Sequence, residues 1–176
     1  MTSAERLFLE KGVEQTTIED ITAGAAISKG AFYLHFGSKA DVVQALRSRF
    51  VQGVLDRIVG AVAECSQVDP DARLQAWARA CATAYLEATR LHDLIFSALP
   101  LPPREGLARN ILTDHLEGLL RDGNVKGAWS LADPHFTAVF LFAALHGVVE
   151  GRTSEAGEAR ETLLDAIETH FRRAVR

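Results

Sequence analysis

Little in this sequence points to covalent or metal chemistry. Only two cysteines occur in its 176 residues, Cys65 and Cys81. Neither has a thiol or histidine partner at ligand spacing, which argues against a disulfide framework or a zinc site and leaves two small packing residues. The six histidines are scattered, with no i, i+4 pairing among them or with a cysteine, so no metal and no cofactor is expected. A glycine-rich phosphate loop, a nucleophile elbow and a pair of carboxylates set for acid–base work are all missing, so the chain is not read as an enzyme. Long apolar runs are missing too. The best candidate, 136–149, contains His146 and falls short of the ~20 residues needed to span a bilayer. The first ten residues, MTSAERLFLE, are charged and lack the apolar centre of a signal peptide, so the expected location is the cytoplasm, without membrane contact. Strand alternation, internal repeats and low-complexity tracts are also lacking.

What remains is an ordinary globular composition, 48% hydrophobic and 24% charged, sufficient for one or two small domains with a core. The stretch 17–39, TIEDITAGAAISKGAFYLHFGSK, organises the rest. Thr17 is placed to N-cap a helix, with Asp20 at the capping-box position, and Ile18 and Ile21 share one face. Gly24 is expected to stop that helix in the left-handed conformation. Ser28 then caps a second helix, 28–36. Its Phe32 and Phe36 fall on an inner face, and Lys29 and Tyr33 fall on an outer one. Two short helices, a small-residue turn and a basic, hydroxylated outer face are the pattern of a helix-turn-helix that enters a DNA major groove.

These residues carry a specific resemblance. The run TTIEDITAGAAISKGAFYLHFGSKADVVQAL is similar to the DNA-binding segment of the TetR family of bacterial transcriptional repressors over roughly residues 4–46. The shared features are the threonine opening the second helix, the SKG start of the recognition helix, the Tyr-x-His-Phe end and the lysine that follows. One departure concerns the start. TetR-like first helices begin about ten residues earlier and often carry a basic arm, so either the natural start lies upstream or the second and third helices carry the binding.

Charge is divided along the chain. The net value is −4, yet residues 1–50 hold six basic and six acidic side chains. Within 28–50 the basic Lys29, Lys39, Arg47 and Arg49 face only Asp41. Local charge decides phosphate attraction, so a modest DNA footprint on an acidic body is expected.

Periodicity predicts an all-α chain of about nine helices: 2–11 (ended by Gly12), the two of the helix-turn-helix, 39–65, 71–89, 91–99, 104–122 (closed by Gly123), 134–150 and 158–175. The expected organisation is a three-helix DNA-binding domain, 1–45, followed by a helical ligand-binding and dimerisation domain, 46–176. The long 39–65 helix, Val42 to Val62 at a 3.6 period, would extend about 37 Å and could act as a lever. Helix 134–150 is apolar nearly all round and must be covered on more than one side. In helix 158–175, Leu163, Leu164, Ile167, Phe171 and Val175 form one stripe. The resemblance implies that these two helices pair with their copies in a homodimer, as a palindromic operator would require. The alternative is that they only complete the monomer's core.

The candidate DNA-binding residues are Thr17, Ser28, Lys29, Gly30, Ala31, Tyr33, His35 and Lys39. Lys29 suits guanine O6 and N7, the Ala31 methyl suits a thymine methyl, and Gly30 lets the helix approach closely. By family position, Tyr33, His35, Lys39 and Thr17 are assigned to phosphates of a double-stranded operator. Phe32 and Phe36 are assigned to the core. The resemblance also implies a small-molecule inducer among the middle helices, expected to be hydrophobic or aromatic with one or two polar groups. Candidate lining residues are Trp77, Cys81, Tyr85, His92, Phe96, Leu112, His115 and Phe140. An aromatic stripe at helical spacing is, however, more often core than pocket. Three functions follow: a ligand-responsive homodimeric repressor, a DNA-binding regulator of the same fold that works through a protein partner or as an activator, and a helical ligand-binding or degenerate enzyme domain whose helix-turn-helix no longer binds DNA.

Overall fold

The computed structural model describes residues 1–99, 110–150 and 157–176. Among these the chain is all-helical: α1 (Thr2–Gln15), α2 (Ile18–Gly24), α3 (Lys29–Tyr33), α4 (Lys39–Ala63), α5 (Pro70–Glu87), α6 (Thr89–Ser97), α7 (Ile111–Val125), α8 (Pro134–Glu150) and α9 (Glu158–Ala174). The expected helix at 104–122 lies partly outside the described residues. None of the described helices is long and apolar enough to cross a membrane.

The chain forms two compact units. One holds residues 1–50 and 88–99; the other holds 51–87, 110–150 and 157–176. The expected boundary, after residue 45, would put α6 in the second domain. In the structure α6 packs on α1 in the first unit. Its main fastener is Arg47, which is only 4% exposed. The guanidinium Nε donates to the Ile95 carbonyl at 2.7 Å, and Nη2 donates to those of Phe96 at 3.2 Å and Leu99 at 2.5 Å. The same group lies 5.3 Å from the centre of the Phe96 ring. A cation is well placed there, where the last carbonyls of α6 lack helical donors. Burial alone pushes the Arg47 pKa down, so the carbonyls and the ring must supply what water no longer does. Phe8 and Phe32, 0% and 1% exposed, fill the centre of this unit, each contributing about 2–3 kcal/mol by burial.

In the second unit α5 is the central rod, packed against α9, α7 and α8. Leu74, Trp77, Ala78, Cys81, Ala82 and Tyr85 give it a nearly solvent-free face. The α7 stop differs from the expected one. Gly123 lies inside α7, where a Cβ would stand 2.0 Å from the Trp129 indole. The helix ends instead at Val125, and Gly127 just beyond it, at φ 71°, lets the Ala128 and Gly127 amides return to the Gly123 and Asn124 carbonyls. Trp129 then donates from Nε1 to the Leu120 carbonyl at 2.8 Å, locking the turn onto the helix it follows.

Candidate nucleic-acid interface

The helix-turn-helix is built from caps. At the α2 N-terminus the Thr17 hydroxyl accepts from the Asp20 amide at 3.1 Å, and the Asp20 carboxylate accepts from the Thr17 amide at 2.8 Å, closing a full capping box. Lys11 donates to the same carboxylate at 2.6 Å. That bond, with the Thr17 amide, holds the Asp20 carboxyl well below its ordinary pKa. Among the described residues the Thr17 hydroxyl only accepts, which leaves its proton to donate outward.

The turn differs from expectation in an instructive way. Gly24 is the last residue of α2, and no left-handed conformation is found there. Its lack of a side chain serves close packing, since a Cβ would stand 2.4 Å from Ser3 Oγ. The left-handed residue is Ala26, at φ 53°. Ile27 and Ala26 amides bond the Thr22 carbonyl at 3.0 Å and that of Ala23 at 3.1 Å, the paired return bonds of a Schellman ending. An alanine therefore sits where a glycine would be unstrained.

Ser28 caps α3, its hydroxyl accepting from the Ala31 amide at 3.1 Å. The helix is shorter than 28–36, ending at Tyr33 with a turn to His35. Phe32 is buried as expected, and Phe36 is half-buried beside it with ring centres 5.6 Å apart. Opposite them Ser28, Lys29, Gly30, Tyr33 and His35 are exposed, as is Thr17, while Ala31 is half-buried. Tyr33 is 55% exposed and stands edge-on to Phe32. Lys29 pairs with Glu19 of α2; this contact lowers the Glu19 pKa and raises that of Lys29. A Cβ on Gly30 would meet only Ser28 Oγ, at an ordinary 3.7 Å. The protein's own packing thus gives no reason for a glycine at this position.

Lys39 does not behave as expected. Its ammonium donates to the carbonyls of Val13 at 2.6 Å, Glu14 at 3.1 Å and Thr16 at 2.9 Å, using all three of its protons inside the unit. The local charge reading changes with it. Arg47 is buried on α6, Arg49 pairs with Glu5, and Lys29 pairs with Glu19. One exposed side chain escaped the sequence reading: Leu34, 83% exposed just after α3. Its position between the inward Phe32 and Phe36 was the available signal.

The candidate ligand residues are divided between the two units. His92 and Phe96 belong to the first unit, stacked with centres 4.6 Å apart and grouped with Phe50. In the second unit Trp77, Cys81, Tyr85 and Leu112 are closed core, with Trp77 stacked on Phe171 and edge-on to Phe142. Burial pushes the Cys81 and Tyr85 pKa values up. His115 is half-buried and accepts on Nδ1 from Trp77 Nε1 at 3.1 Å. Phe140 points elsewhere. It is 59% exposed and lines a groove of about 800 Å³ between α8 and α9, with Leu141, Val148, Leu163 and Ile167.

Residues 1–46 match the family profile described as bacterial regulatory proteins, tetR family. The chain is 44% identical over 52 residues to the HTH-type transcriptional repressor BepR of Brucella suis, covering 28% of this chain and 25% of that one. It is 40% identical over 68 residues to the regulator TtgR of Pseudomonas putida, covering 39% and 32%. The matched stretch therefore spans only a quarter to a third of these relatives. The fold likeness is wider. The fatty acid degradation regulator FadR from Bacillus halodurans superposes with a TM-score of 0.73 at 20% identity, over 99% of this chain and 97% of that one. PfmR from Thermus thermophilus does so with a TM-score of 0.70 at 24% identity, over 99% and 97%.

Proposed function

Because the chain belongs to the TetR family of bacterial transcriptional regulators, we propose that it is a homodimeric repressor that grips a palindromic operator and is released by a small apolar ligand. The observation that carries the DNA part is the outer face of α3. There Lys29 and Tyr33 are exposed, and Gly30 is bare without an internal reason for it. Such a face suits a major groove, with Lys29 exchanging Glu19 for a guanine edge and the α2 cap hydroxyl of Thr17 donating to a phosphate. Family position assigns Tyr33 and His35 to phosphates as well, while Ser28 and Ala31 stand in the N-terminal turn of α3 that would face base edges.

The dimer rests on the groove between α8 and α9. Phe140 and Val148, 59% and 41% exposed, stand along this groove, whose floor is formed by the buried Leu141, Leu163 and Ile167. A second copy presenting the same face would bury both, and two-fold symmetry would set two recognition helices on two half-sites. For the ligand the support is narrower. The Trp77–His115 pair is a polar handle within an apolar core, suited to a mainly hydrophobic molecule. Close packing at Trp77, Cys81, Tyr85 and Leu112 favours the second reading, a regulator of the same fold with no small-molecule inducer. Fluorescence anisotropy with duplexes from the gene's own upstream region tests the DNA part, expected to show saturable binding that non-specific DNA does not compete away at moderate salt. Failure of every such duplex would refute it. Loss of binding on adding an apolar compound that also raises the melting temperature would select the ligand-released form.

A further inference from the structure

Gly12, at φ 84° and ψ 161°, breaks the backbone of α1 and leaves a short segment, 13–16, leading to the N-cap of α2. Helix endings of this kind leave carbonyls without helical donors, and they concentrate negative partial charge. Thr16, fully buried, closes one side with its hydroxyl, donating to the Gly12 carbonyl at 2.7 Å. The other side is closed from a distance in sequence. Lys39 stands at the first position of the 25-residue α4. That helix start is itself fixed: the Asp41 carboxylate accepts from the Gly37 and Ser38 amides at 2.8 and 3.1 Å, and Ser38 Oγ accepts from the Asp41 amide at 3.2 Å. From that anchored base the ammonium reaches three carbonyls of the 13–16 segment, the last belonging to the residue just before Thr17.

We infer that Lys39 is a positioning residue for DNA recognition and not a phosphate contact: its ammonium ties the start of α4 to the 13–16 segment and so fixes where the capped N-terminus of α2, with the Thr17 hydroxyl, is presented. An ammonium has three protons, and all three are spent on carbonyls no further than 3.1 Å away. Turning one toward a phosphate would open a half-buried bond and release the segment that carries Thr17. The inference rests on the DNA-binding reading given above and assigns Lys39 a different role within it.

The test separates the two roles by salt. A phosphate contact releases counterions, so its loss flattens log K against log salt by about 0.9 per phosphate, about 1.8 for both subunits of a dimer. Lys39→Met is expected to weaken operator binding several-fold at every salt concentration with the wild-type slope; a slope flatter by that amount overturns the inference. Should Lys39→Met fail to fold, reductive methylation of the wild-type protein decides. Lys39 is expected to react far more slowly than Lys29 already in the free protein. Equal reactivity when free, with protection appearing only on DNA, overturns the positioning role. If the wild-type protein binds no duplex, the DNA reading falls, and the methylation of the free protein still judges where the Lys39 ammonium lies.

Discussion

Replacing Gly30 by alanine should move stability and DNA affinity in opposite directions. Gly30 is the second residue of α3, in helical conformation, and an added Cβ meets nothing closer than Ser28 Oγ at 3.7 Å. The methyl therefore clashes with nothing inside the protein. Alanine also removes backbone freedom from the unfolded chain, so the variant should be more stable by about 0.5–1 kcal/mol. For a chain of this size that is roughly 1–4 °C in Tm. On the operator the same methyl enters the gap between helix and bases. An extra methyl in a packed contact costs about 1–3 kcal/mol, hence at least about 2 kcal/mol for two subunits, or roughly thirtyfold in Kd. Urea unfolding and anisotropy titration read the two quantities on one sample. Raised stability with unchanged affinity would refute close approach at this residue. Lowered stability would refute the reading of the protein's own packing.

Other expectations follow from the same geometry. Ala26→Gly relieves a left-handed alanine and should stabilise the first unit by up to about 1 kcal/mol; a loss of stability by urea unfolding would count against strain at that turn. Arg47→Met removes three hydrogen bonds to the end of α6 and should cost about 2–4 kcal/mol; a change below about 0.5 kcal/mol, the scale of ordinary surface substitutions, would mean that α6 is held by apolar packing alone. Val148→Glu places a charge in the α8–α9 groove and should leave a folded monomer by sedimentation, and an unchanged mass would remove that groove as the dimer face. The His115 pKa lies below the ordinary imidazole value, first through burial and then through the Arg73 charge. A depressed base favours folding while neutral, so this contribution is present above about pH 6.5 and is lost as pH falls from there. Melts at pH 7.5 and 5.5 should therefore differ more for wild type than for His115→Gln, and equal differences would reject the assignment.

The helices were legible because their determinants are local. Asp20 lies three residues after Thr17, and the box closes; Ser28 and Pro134 open α3 and α8, whereas α7 opens only after the Asn110 cap, later than the expected start at 104. The stops were read less well, and the reason is physical. A glycine near a helix end has two uses, a positive φ or a close approach, and sequence does not distinguish them. Gly24 and Gly123 serve close approach against Ser3 and Trp129, while Ala26 and Gly127 turn the chain. The ligand stripe was ambiguous for a related reason. Period 3.6 shows that Trp77, Cys81 and Tyr85 share a face, but whether that face meets a cavity or Phe142 and Phe171 depends on helices far away in sequence.

Charge shows most clearly what sequence cannot carry. Counting basic residues between 28 and 50 assumes that each faces solvent. Arg47 and Lys39 instead complete the ends of α6 and α1, partners 48 and 23 residues away in the chain at their nearest. Both are cations on backbone carbonyls, a pairing that leaves no mark in sequence because every residue carries the acceptor. Lys29 and Arg49 keep exposed side chains but have carboxylate partners in Glu19 and Glu5. Exposed pairs of this kind are weak and exchange readily, so a phosphate or a guanine edge can take the cation over. The face that α3 offers a duplex therefore depends less on free positive charge than on a helix pair held rigid by internal cations. Its binding should then be governed more by fit, at Gly30, Tyr33 and the α2 cap, than by the number of lysines and arginines nearby.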